Sequence, residues 1–204
     1  MLLFFIIITL FIILNIYFIL NLYLINDDSK LTLCKNMDEL KLSLYKKNPS
    51  LINIPKNNID LNIFDDLNHC YKNIELFNNL NLKSKINFSE ILLNSNLCCN
   101  LKYSLSYLNK KQLLDLEECK NNYHVISNIN SKDFYIYLLH PKNKHLNNEE
   151  ILTNSEKVLI KPYDILIIPF GWKYIEEINE KTINYHIDID NYFTIIHNTI
   201  LNKI

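Results

Sequence analysis

The sequence predicts a mainly β domain with peripheral helices (α+β), placed behind an N-terminal transmembrane helix. Three observations support this prediction. The first 24 residues carry no charge and are almost wholly apolar. Residues 165–168 are four consecutive Ile or Leu residues followed by a proline, which is typical of a buried strand. Residues 182–189 alternate apolar and polar side chains, which indicates a strand with one buried face.

The apolar N-terminal stretch is long enough to cross a bilayer. About 23 helical residues reach about 35 Å, against a hydrocarbon core of about 30 Å. A cleavable signal peptide would need a basic start, a shorter apolar run and small residues at the cut site, and none is present. We therefore expect a single-pass signal anchor over 1–25, which contacts the lipid bilayer through residues 2–24. A juxtamembrane linker over 26–35 and one domain over 36–204 follow.

The charge and the cysteine content limit the cellular compartments and the classes of partner that fit the chain. Lys30, Lys35 and Lys41 follow the anchor and no lysine precedes it, which favours a cytoplasmic C-terminal domain. The five cysteines are odd in number, include adjacent Cys98 and Cys99, and lack zinc-ligand spacing. Reduced thiols agree with that compartment. The net charge of −1 argues against nucleic acid as a partner.

Apolar spacing and turn residues predict the remaining elements. Helices are expected over 36–47, 62–79, 110–119 and 191–203. Strands are expected over 49–55, 123–129, 134–139, 165–168 and 182–189. Residues 86–93 and 101–108 fit either a helix or a strand.

Residues 159–174 concentrate the rarest residue types of the chain. Its single Gly and single Trp are adjacent, at Gly171 and Trp172, and two of its five prolines lie in the same stretch. Pro162 predicts a turn, and Pro169 ends the strand because it has no N–H to donate. Gly171 allows a backbone angle or a close approach that a side chain would block. Local pattern alone predicts a strand, a tight corner and a core tryptophan.

The same stretch resembles the late strand, corner and strand of the cupin-like domain in the JmjC-type hydroxylase superfamily. The family pattern is Pro-Gly-Asp, an apolar strand, then Pro-x-Gly-Trp-x-His. Its structural motif is matched by Pro162, Asp164, Pro169, Gly171 and Trp172. The resemblance implies a cupin-like double-stranded β-helix barrel.

Two positions depart from the family pattern. Tyr163 stands where Gly is usual, and Tyr174 stands where the family has the distal His that binds iron. The resemblance also aligns Lys132 with a lysine of the family's central hairpin, so Lys132, Trp172 and Tyr174 are its pocket candidates. The family's first iron-binding pair, His-x-Asp or His-x-Glu, is expected near 115–120, where the chain has carboxylates but no His.

With both histidines missing, the resemblance predicts a membrane-anchored, non-catalytic domain without cofactor or metal, which binds or positions an unknown protein partner. The alternative is a divergent hydroxylase that uses Fe(II) and 2-oxoglutarate with Tyr174 or displaced ligands such as His124, His186 and Asp188. His186 and Asp188 have ligand spacing on one strand face. The opposite Ile/Tyr set is expected to line the barrel, so we expect His186 and Asp188 to face solvent.

A weaker alternative is a type II membrane-anchored enzyme of another class. A single glycine excludes Gly-rich phosphate-binding loops and the Gly-x-Ser-x-Gly elbow. The chain has no Ala and no Arg, and it is rich in Asn and Ile, which indicates an AT-rich coding genome. This composition fits a large DNA virus, in which case the membrane would be a host or virion membrane, or an AT-rich protist.

Overall fold

The protein is described by a computed structural model, which covers residues 2–23, 25–53, 70–71, 98–108, 111–128, 132–143, 148–179 and 182–201. The helices in these ranges are α1 (Leu2–Tyr23), α2 (Met37–Tyr45), α3 (Asn148–Asn154) and α4 (Tyr192–Leu201). The strands form two sheets that face each other.

The larger sheet contains seven strands in the spatial order β1-β2-β10-β7-β12-β4-β3. They are β1 (Thr32–Cys34), β2 (Ser50–Asn53), β3 (Cys70–Tyr71), β4 (Cys98–Leu108), β7 (Tyr123–Asn128), β10 (Asp164–Pro169) and β12 (Thr182–Asn191). The smaller sheet has the order β5-β11-β8-β9, and β6 also pairs with β11. Its strands are β5 (Gln112–Leu113), β6 (Glu117–Glu118), β8 (Phe134–Leu139), β9 (Glu156–Ile160) and β11 (Lys173–Ile178).

The strands from β4 to β12 follow the connectivity of a jelly roll. When β5 and β6 are taken as one broken strand, they count as eight in chain order. The larger sheet then contains strands 6-3-8-1 and the smaller sheet contains strands 2-7-4-5. All pairings among them are antiparallel. Cupins share this two-sheet architecture, so the prediction of a mainly β, cupin-like fold is confirmed.

The core lies between the two sheets. The larger sheet contributes Ile126, Leu166 and Ile168, and the smaller sheet contributes alternate residues of β8, Phe134 among them. These side chains are fully buried, and each stabilises the fold by about 1.5–3 kcal/mol through the removal of apolar surface from water. Successive strand residues point to opposite faces. Residues two positions away from these core residues on the same strand therefore also face the interior.

Most predicted elements are confirmed, and one is wrong. The structure contains the predicted helices at α2 and α4 and the predicted strands at β2, β7, β8, β10 and β12. The helix expected over 110–119 is absent: these residues form β5 and β6, which pair with β11. Residues 101–108 belong to β4. The helix expected over 62–79 and the segment 86–93 lie outside the described residues, except that Cys70–Tyr71 form β3.

The N-terminal stretch forms α1, and the segment after it packs on the domain. Ile25 is 1% exposed within the core. The predicted linker over 26–35 carries β1, which pairs with β2 in parallel. Judged on the described residues, none of the helices has the length and apolar character of a membrane span.

Candidate functional site

The turn before β10 has the shape that the sequence motif requires. Asp164 accepts hydrogen bonds from the backbone N–H of Lys161 at 2.9 Å and from Asn53 Nδ2 at 2.7 Å. Tyr163 has φ of 69°. This left-handed conformation is unfavourable for a residue with a Cβ, so other interactions must compensate its cost. This is the position at which the resembled family has Gly. The turn is therefore retained without its glycine.

The corner after β10 is fastened to the end of β6. Gly171 has φ of 85°, and its N–H donates to the carbonyl of Cys119 at 2.9 Å. Cys119 in turn donates its N–H to the carbonyl of Trp172 at 2.8 Å. The Trp172 indole is buried, and its Nε1–H donates to the carbonyl of Lys47 at 3.1 Å. Trp172 is therefore a core residue that ties three segments together.

Tyr174 lies beside the segment 115–120, in which the resemblance placed the first iron-binding pair of the family. Tyr174 on β11 lies directly opposite Glu117 on β6. The Tyr174 hydroxyl donates to Glu117 Oε2 at 2.6 Å. Burial raises the pKa of Tyr174 well above its ordinary value, and the charges of Glu176 and Glu117 raise it further. The phenol therefore stays protonated and acts as a hydrogen-bond donor.

A polar cluster lies beside this pair inside the barrel. We call His124, Glu176, Asn184, His186 and Asp188 the interior cluster. His124 Nδ1 is 2.6 Å from Asp188 Oδ1, and His124 Nε2 is 3.3 Å from His186 Nδ1. His186 Nδ1 is also 3.7 Å from Glu176 Oε1. The cluster is adjacent to the Tyr174–Glu117 pair because the His124 ring stacks on Tyr174, with 5.1 Å between centroids.

Strand register explains why these residues meet. In the antiparallel pair of β7 and β12, His124 faces Asp188 and Ile126 faces His186. Directly opposed residues point to the same side of a sheet, and Ile126 belongs to the core between the sheets. Glu176 comes from β11 in the other sheet, two residues after Tyr174. The cluster therefore bridges the two sheets across the barrel interior.

The expectation that His186 and Asp188 face solvent is wrong. Their side chains are 12% and 34% exposed, and their partners lie inside the barrel. The alternate residues Tyr185, Ile187 and Ile189 point to the outer face of the sheet, yet they are at most 2% exposed. Because this sheet is buried on both faces, its apolar alternation does not identify the inner one.

Electrostatics divide the cluster into charged and neutral members. Burial, with a smaller contribution from the charge of Glu117, raises the pKa of Glu176 to about 8. Asn184 Nδ2 donates to Glu176 Oε2 at 3.4 Å, whereas Asn184 Oδ1 has no partner among the described residues. The 2.6 Å contact of His124 Nδ1 with the Asp188 carboxyl group favours the tautomer with the proton on Nδ1, which leaves Nε2 as the acceptor for His186.

Tyr174 and its partner Glu117 do not fit an iron site. Tyr174 is a protonated donor, and one oxygen of Glu117 already accepts its hydrogen bond. In the part of the chain that the structure describes, no group of three or more His, Cys, Asp or Glu side chains is arranged to hold a metal ion. The site is best described as a hydrogen-bonded acid–base network.

The structure brings two of the three predicted pocket residues to the interior. Trp172 and Tyr174 belong to the core. Lys132 is exposed, in the corner before β8, where its carbonyl accepts a hydrogen bond from Asn128 Nδ2 at 2.7 Å. Scattered carboxylates such as Glu176 are usually part of a solvated face, and the sequence favoured that interpretation. The structure instead buries Glu176, which lies two residues after Tyr174 on the same strand face.

The remaining histidines do not join the cluster in the described structure. The His140 ring packs edge-on against Trp172, with 5.1 Å between centroids. The His197 ring packs edge-on against Phe170, with 6.4 Å between centroids. His69 and His145 lie outside the described residues.

No protein-family model and no curated protein matches the sequence. Among solved structures, the chain is similar to HEPD of Streptomyces albus with 2-hydroxyethylphosphonate and Fe(II) bound, at 7% identity and a TM-score of 0.36, over 51% of this chain and 21% of that one. It is similar to the coconut allergen cocosin at 9% identity and a TM-score of 0.36, over 45% and 22% of the two chains. RmlC from Streptococcus suis, in complex with dTDP-D-xylose, gives 15% identity and a TM-score of 0.33, over 59% and 54%. The matched region thus spans between about a fifth and about half of the length of these proteins.

Proposed function

We propose that the chain is a membrane-tethered, non-catalytic, JmjC-related cupin-like domain that acts by binding a protein partner. One observation carries this proposal: Tyr174, which stands where the resembled family has its distal His, donates a hydrogen bond of 2.6 Å to Glu117, in the segment where that family's first iron-binding pair is expected. A protonated phenol offers a metal no anionic oxygen, and it occupies one carboxylate oxygen of its partner. The loss of both histidines is thus accompanied by a different, closed interaction.

The charge of the interior also argues against 2-oxoglutarate as a ligand. This co-substrate is a dianion, and its carboxylates need cationic or hydrogen-bond-donating partners. The described groups in and beside the interior cluster include the carboxyl groups of Glu117, Glu176 and Asp188. The aligned lysine, Lys132, lies on the surface. These carboxyl groups are not the cationic partners that a dianion requires, and Glu176 itself stays protonated below a pKa of about 8.

The test uses the full chain in lipid nanodiscs. The protein is loaded anaerobically with Fe(II) and the bound metal is measured. Air is then admitted to supply the O2 that the oxidative decarboxylation of 2-oxoglutarate consumes, and the formation of succinate is measured. We expect neither stoichiometric iron nor succinate above a protein-free blank. Tyr174→His, which restores the family residue, provides a comparison in which metal is more readily bound. Metal-dependent turnover by the unmodified chain would refute the proposal.

A second candidate function is supported by the interior cluster itself. His124, His186 and Asp188, which the hydroxylase alternative names as displaced ligands, come together inside the barrel. In many metal sites a carboxylate orients the far nitrogen of a ligand histidine, as Asp188 does for His124. Nitrogen atoms 3.3 Å apart are close to the separation of two ligands on one ion at about 2.1 Å.

One pair of variants separates the two functions. If the hydroxylase alternative is correct, His186→Ala should abolish both metal binding and succinate formation, whereas Tyr174→Phe should leave metal binding intact. If the binding-module proposal is correct, the unmodified chain and both variants should all lack stoichiometric metal. Inductively coupled plasma mass spectrometry of the desalted protein provides the readout.

The tether is proposed from the surface of α1. Nine large apolar side chains of this helix are between 39% and 65% exposed, Phe11 and Ile19 among them. Leaving this surface in water is unfavourable by about 25 cal/mol for each Å², and a bilayer would cover it. Lys30, Lys35 and Lys41 favour a cytoplasmic domain.

Flotation with lipid vesicles tests the tether. The double variant Ile12→Lys/Ile13→Lys should leave the vesicle fraction, because each lysine at a membrane centre costs about 2.5–3.5 kcal/mol. Leu33→Lys/Leu42→Lys is the matched control, since these two leucines are also exposed but lie outside α1. Equal flotation of the two double variants would contradict a tether through α1.

A further inference from the structure

The end of α1 nearest the barrel is held by α4. The Tyr17 ring stacks on Phe193 with 4.2 Å between centroids and 18° between the ring planes. The Tyr17 hydroxyl also accepts a hydrogen bond of 2.6 Å from Asn191 Nδ2. Leu14, one turn earlier on α1, is 7% exposed. The two helices therefore share a packed and hydrogen-bonded contact.

A second set of contacts holds the chain immediately after α1. Ile25 is buried in the core. The His140 ring nitrogen Nε2 is 3.0 Å from the carbonyl of Asn26, and Lys142 forms an ion pair with Asp27. Because α1 is held on both sides of its last turn, it is a rigid extension of the barrel and not a helix on a loose linker.

The helix α4 presents apolar side chains next to this contact. Tyr192 and Ile196 lie four residues apart, on one helix face, and they are 61% and 39% exposed. The N-terminus of α4 is firmly capped: Asn191 Oδ1 accepts from the Thr194 N–H at 2.9 Å, and Thr194 Oγ1 accepts from the Asn191 N–H at 3.0 Å. This exposed face is therefore presented by a well-formed helix.

The length of α1 relates α4 to the depth of a bilayer. From Leu2 to Tyr17 the helix rises about 22 Å, which is less than the hydrocarbon thickness of about 30 Å. From Tyr17 to Tyr23 it rises about a further 9 Å. If lipid covers α1 as far as Tyr23, then Tyr17 lies about 9 Å below the surface, and Phe193, stacked on it, is carried to a similar depth. Interfacial helices lie about 5–10 Å deep.

We propose that α4 is an interfacial helix, which lies in the headgroup layer of the bilayer with Tyr192 and Ile196 in contact with lipid. This inference rests on the proposed tether and extends it: the barrel is mounted on the membrane in one fixed orientation. Tyrosine is enriched at this depth because its ring is apolar and its hydroxyl is polar. Phe193, the neighbour of Tyr192, stacks on Tyr17 of α1, so lipid that covers α1 near Tyr17 also reaches the start of α4.

Quenching by brominated lipids tests this placement in the full chain. The single native tryptophan, Trp172, is 2% exposed in the barrel core and supplies a baseline that lipid does not reach. Ile196→Trp adds a reporter on α4. Leu42→Trp is the matched control, because Leu42 is 56% exposed on α2, which packs at the opposite end of the larger sheet. Nanodiscs with and without brominated lipid are compared.

The reporter on α4 should lose at least about half of its added emission in brominated lipid, and the reporter on α2 should lose less than a tenth. Protein that floats with lipid while its α4 reporter stays unquenched would overturn the interfacial placement and leave the tether standing. Protein that does not float would overturn both. If the α4 reporter is equally shielded from solvent in dimers without lipid, the exposed face of α4 binds a second copy of the chain. That result would also overturn the inference.

Discussion

Glu176 provides a direct test of the barrel interior, because its carboxyl group is buried and contacts only the Asn184 amide and the His186 ring among the described residues. Its side chain is 4% exposed. Burial, assisted by the charge of Glu117, raises its pKa from 4.5 to about 8. Between these two pH values the unfolded chain releases a proton that the folded chain keeps. The free energy of unfolding should therefore fall as the pH rises through this window.

The size of the effect follows from the shift. A change in pKa from 4.5 to about 8 corresponds to about 5 kcal/mol, at about 1.4 kcal/mol per unit. This is comparable with the whole stability of a small domain, about 5–15 kcal/mol. Glu176→Gln is neutral at every pH and retains an oxygen to accept from Asn184. We expect the variant to match the parent near pH 4.5 and to exceed its stability by about 2–5 kcal/mol at pH 8.5.

The assay is urea unfolding followed by the fluorescence of Trp172, repeated at several pH values between 4.5 and 8.5. Glu118→Gln is the matched control, because Glu118 is exposed on β6 and should leave the pH profile of the parent unchanged. The reasoning would be refuted by a Glu176→Gln variant whose free energy of unfolding follows that of the parent at every pH. That result would mean that a positive charge already compensates the Glu176 carboxylate.

The neighbouring carboxylate should behave in the opposite way: hydrogen bonds from Lys111 and Tyr137 lower the pKa of Glu177 from 4.5 to about 2. Glu177→Gln should therefore lower the free energy of unfolding by about 1–2 kcal/mol at pH 7, after allowance for solvent screening of Lys111. This loss of stability should vanish as the pH falls from 4.5 to 2. A loss that persists at pH 2 would show that the charge of Glu177 is not its cause. Tyr163→Gly should raise the stability by about 0.5–1 kcal/mol because φ of 69° suits glycine, and a lower thermal midpoint would show that Tyr163 contributes more by packing than it loses in strain. Gly171→Ala should lower the stability by at least about 1 kcal/mol in the same thermal assay, because a residue with a Cβ is strained at the φ of 85° that Gly171 adopts. An unchanged thermal midpoint would contradict this.

The corner at 161–172 could be predicted because its residues have few conformational alternatives. Pro162 sets its own backbone angle, Pro169 cannot continue a ladder, and Gly171 adopts the positive φ that its identity suggested. Tyr163 shows the limit of such reasoning. A residue with a side chain occupies a left-handed position, and only the surrounding hydrogen bonds of Asp164 reveal that the turn persists.

The interior cluster could not be predicted, because the sequence does not show which face of β12 is inside. The alternation of Tyr185 and Ile187 with His186 correctly gives two faces. A one-sided sheet would place the apolar face inward, but here both faces are buried. The polar residues then face the interior, where partners from β7 and β11 satisfy them. That arrangement depends on the register between strands that are distant in the sequence, which the local sequence pattern does not show.

The prediction of a helix over 110–119 was wrong for a related reason. Its spacing of Leu and charged residues is compatible with a helix, and helix propensity is a weak prior that tertiary pairing overrides. The edge of β11 offers unpaired backbone groups, which β5 and β6 satisfy in two short runs. The pairing places Glu117 opposite Tyr174, so the misread segment is also the one that determines the character of the site.

The carboxyl groups of the interior have separate hydrogen-bonding or protonation states. Three of them lie in or near the barrel interior, and each has its own partner or proton. Glu117 accepts a hydrogen bond from the Tyr174 hydroxyl, Asp188 Oδ1 lies 2.6 Å from His124 Nδ1, and Glu176 keeps its own proton up to a pKa of about 8. A metal ion would have to displace a proton or a hydrogen bond at every one of these groups. These interactions agree with the proposal of a non-catalytic domain, and the pH profile of Glu176→Gln measures the protonation of one of the three carboxyl groups directly.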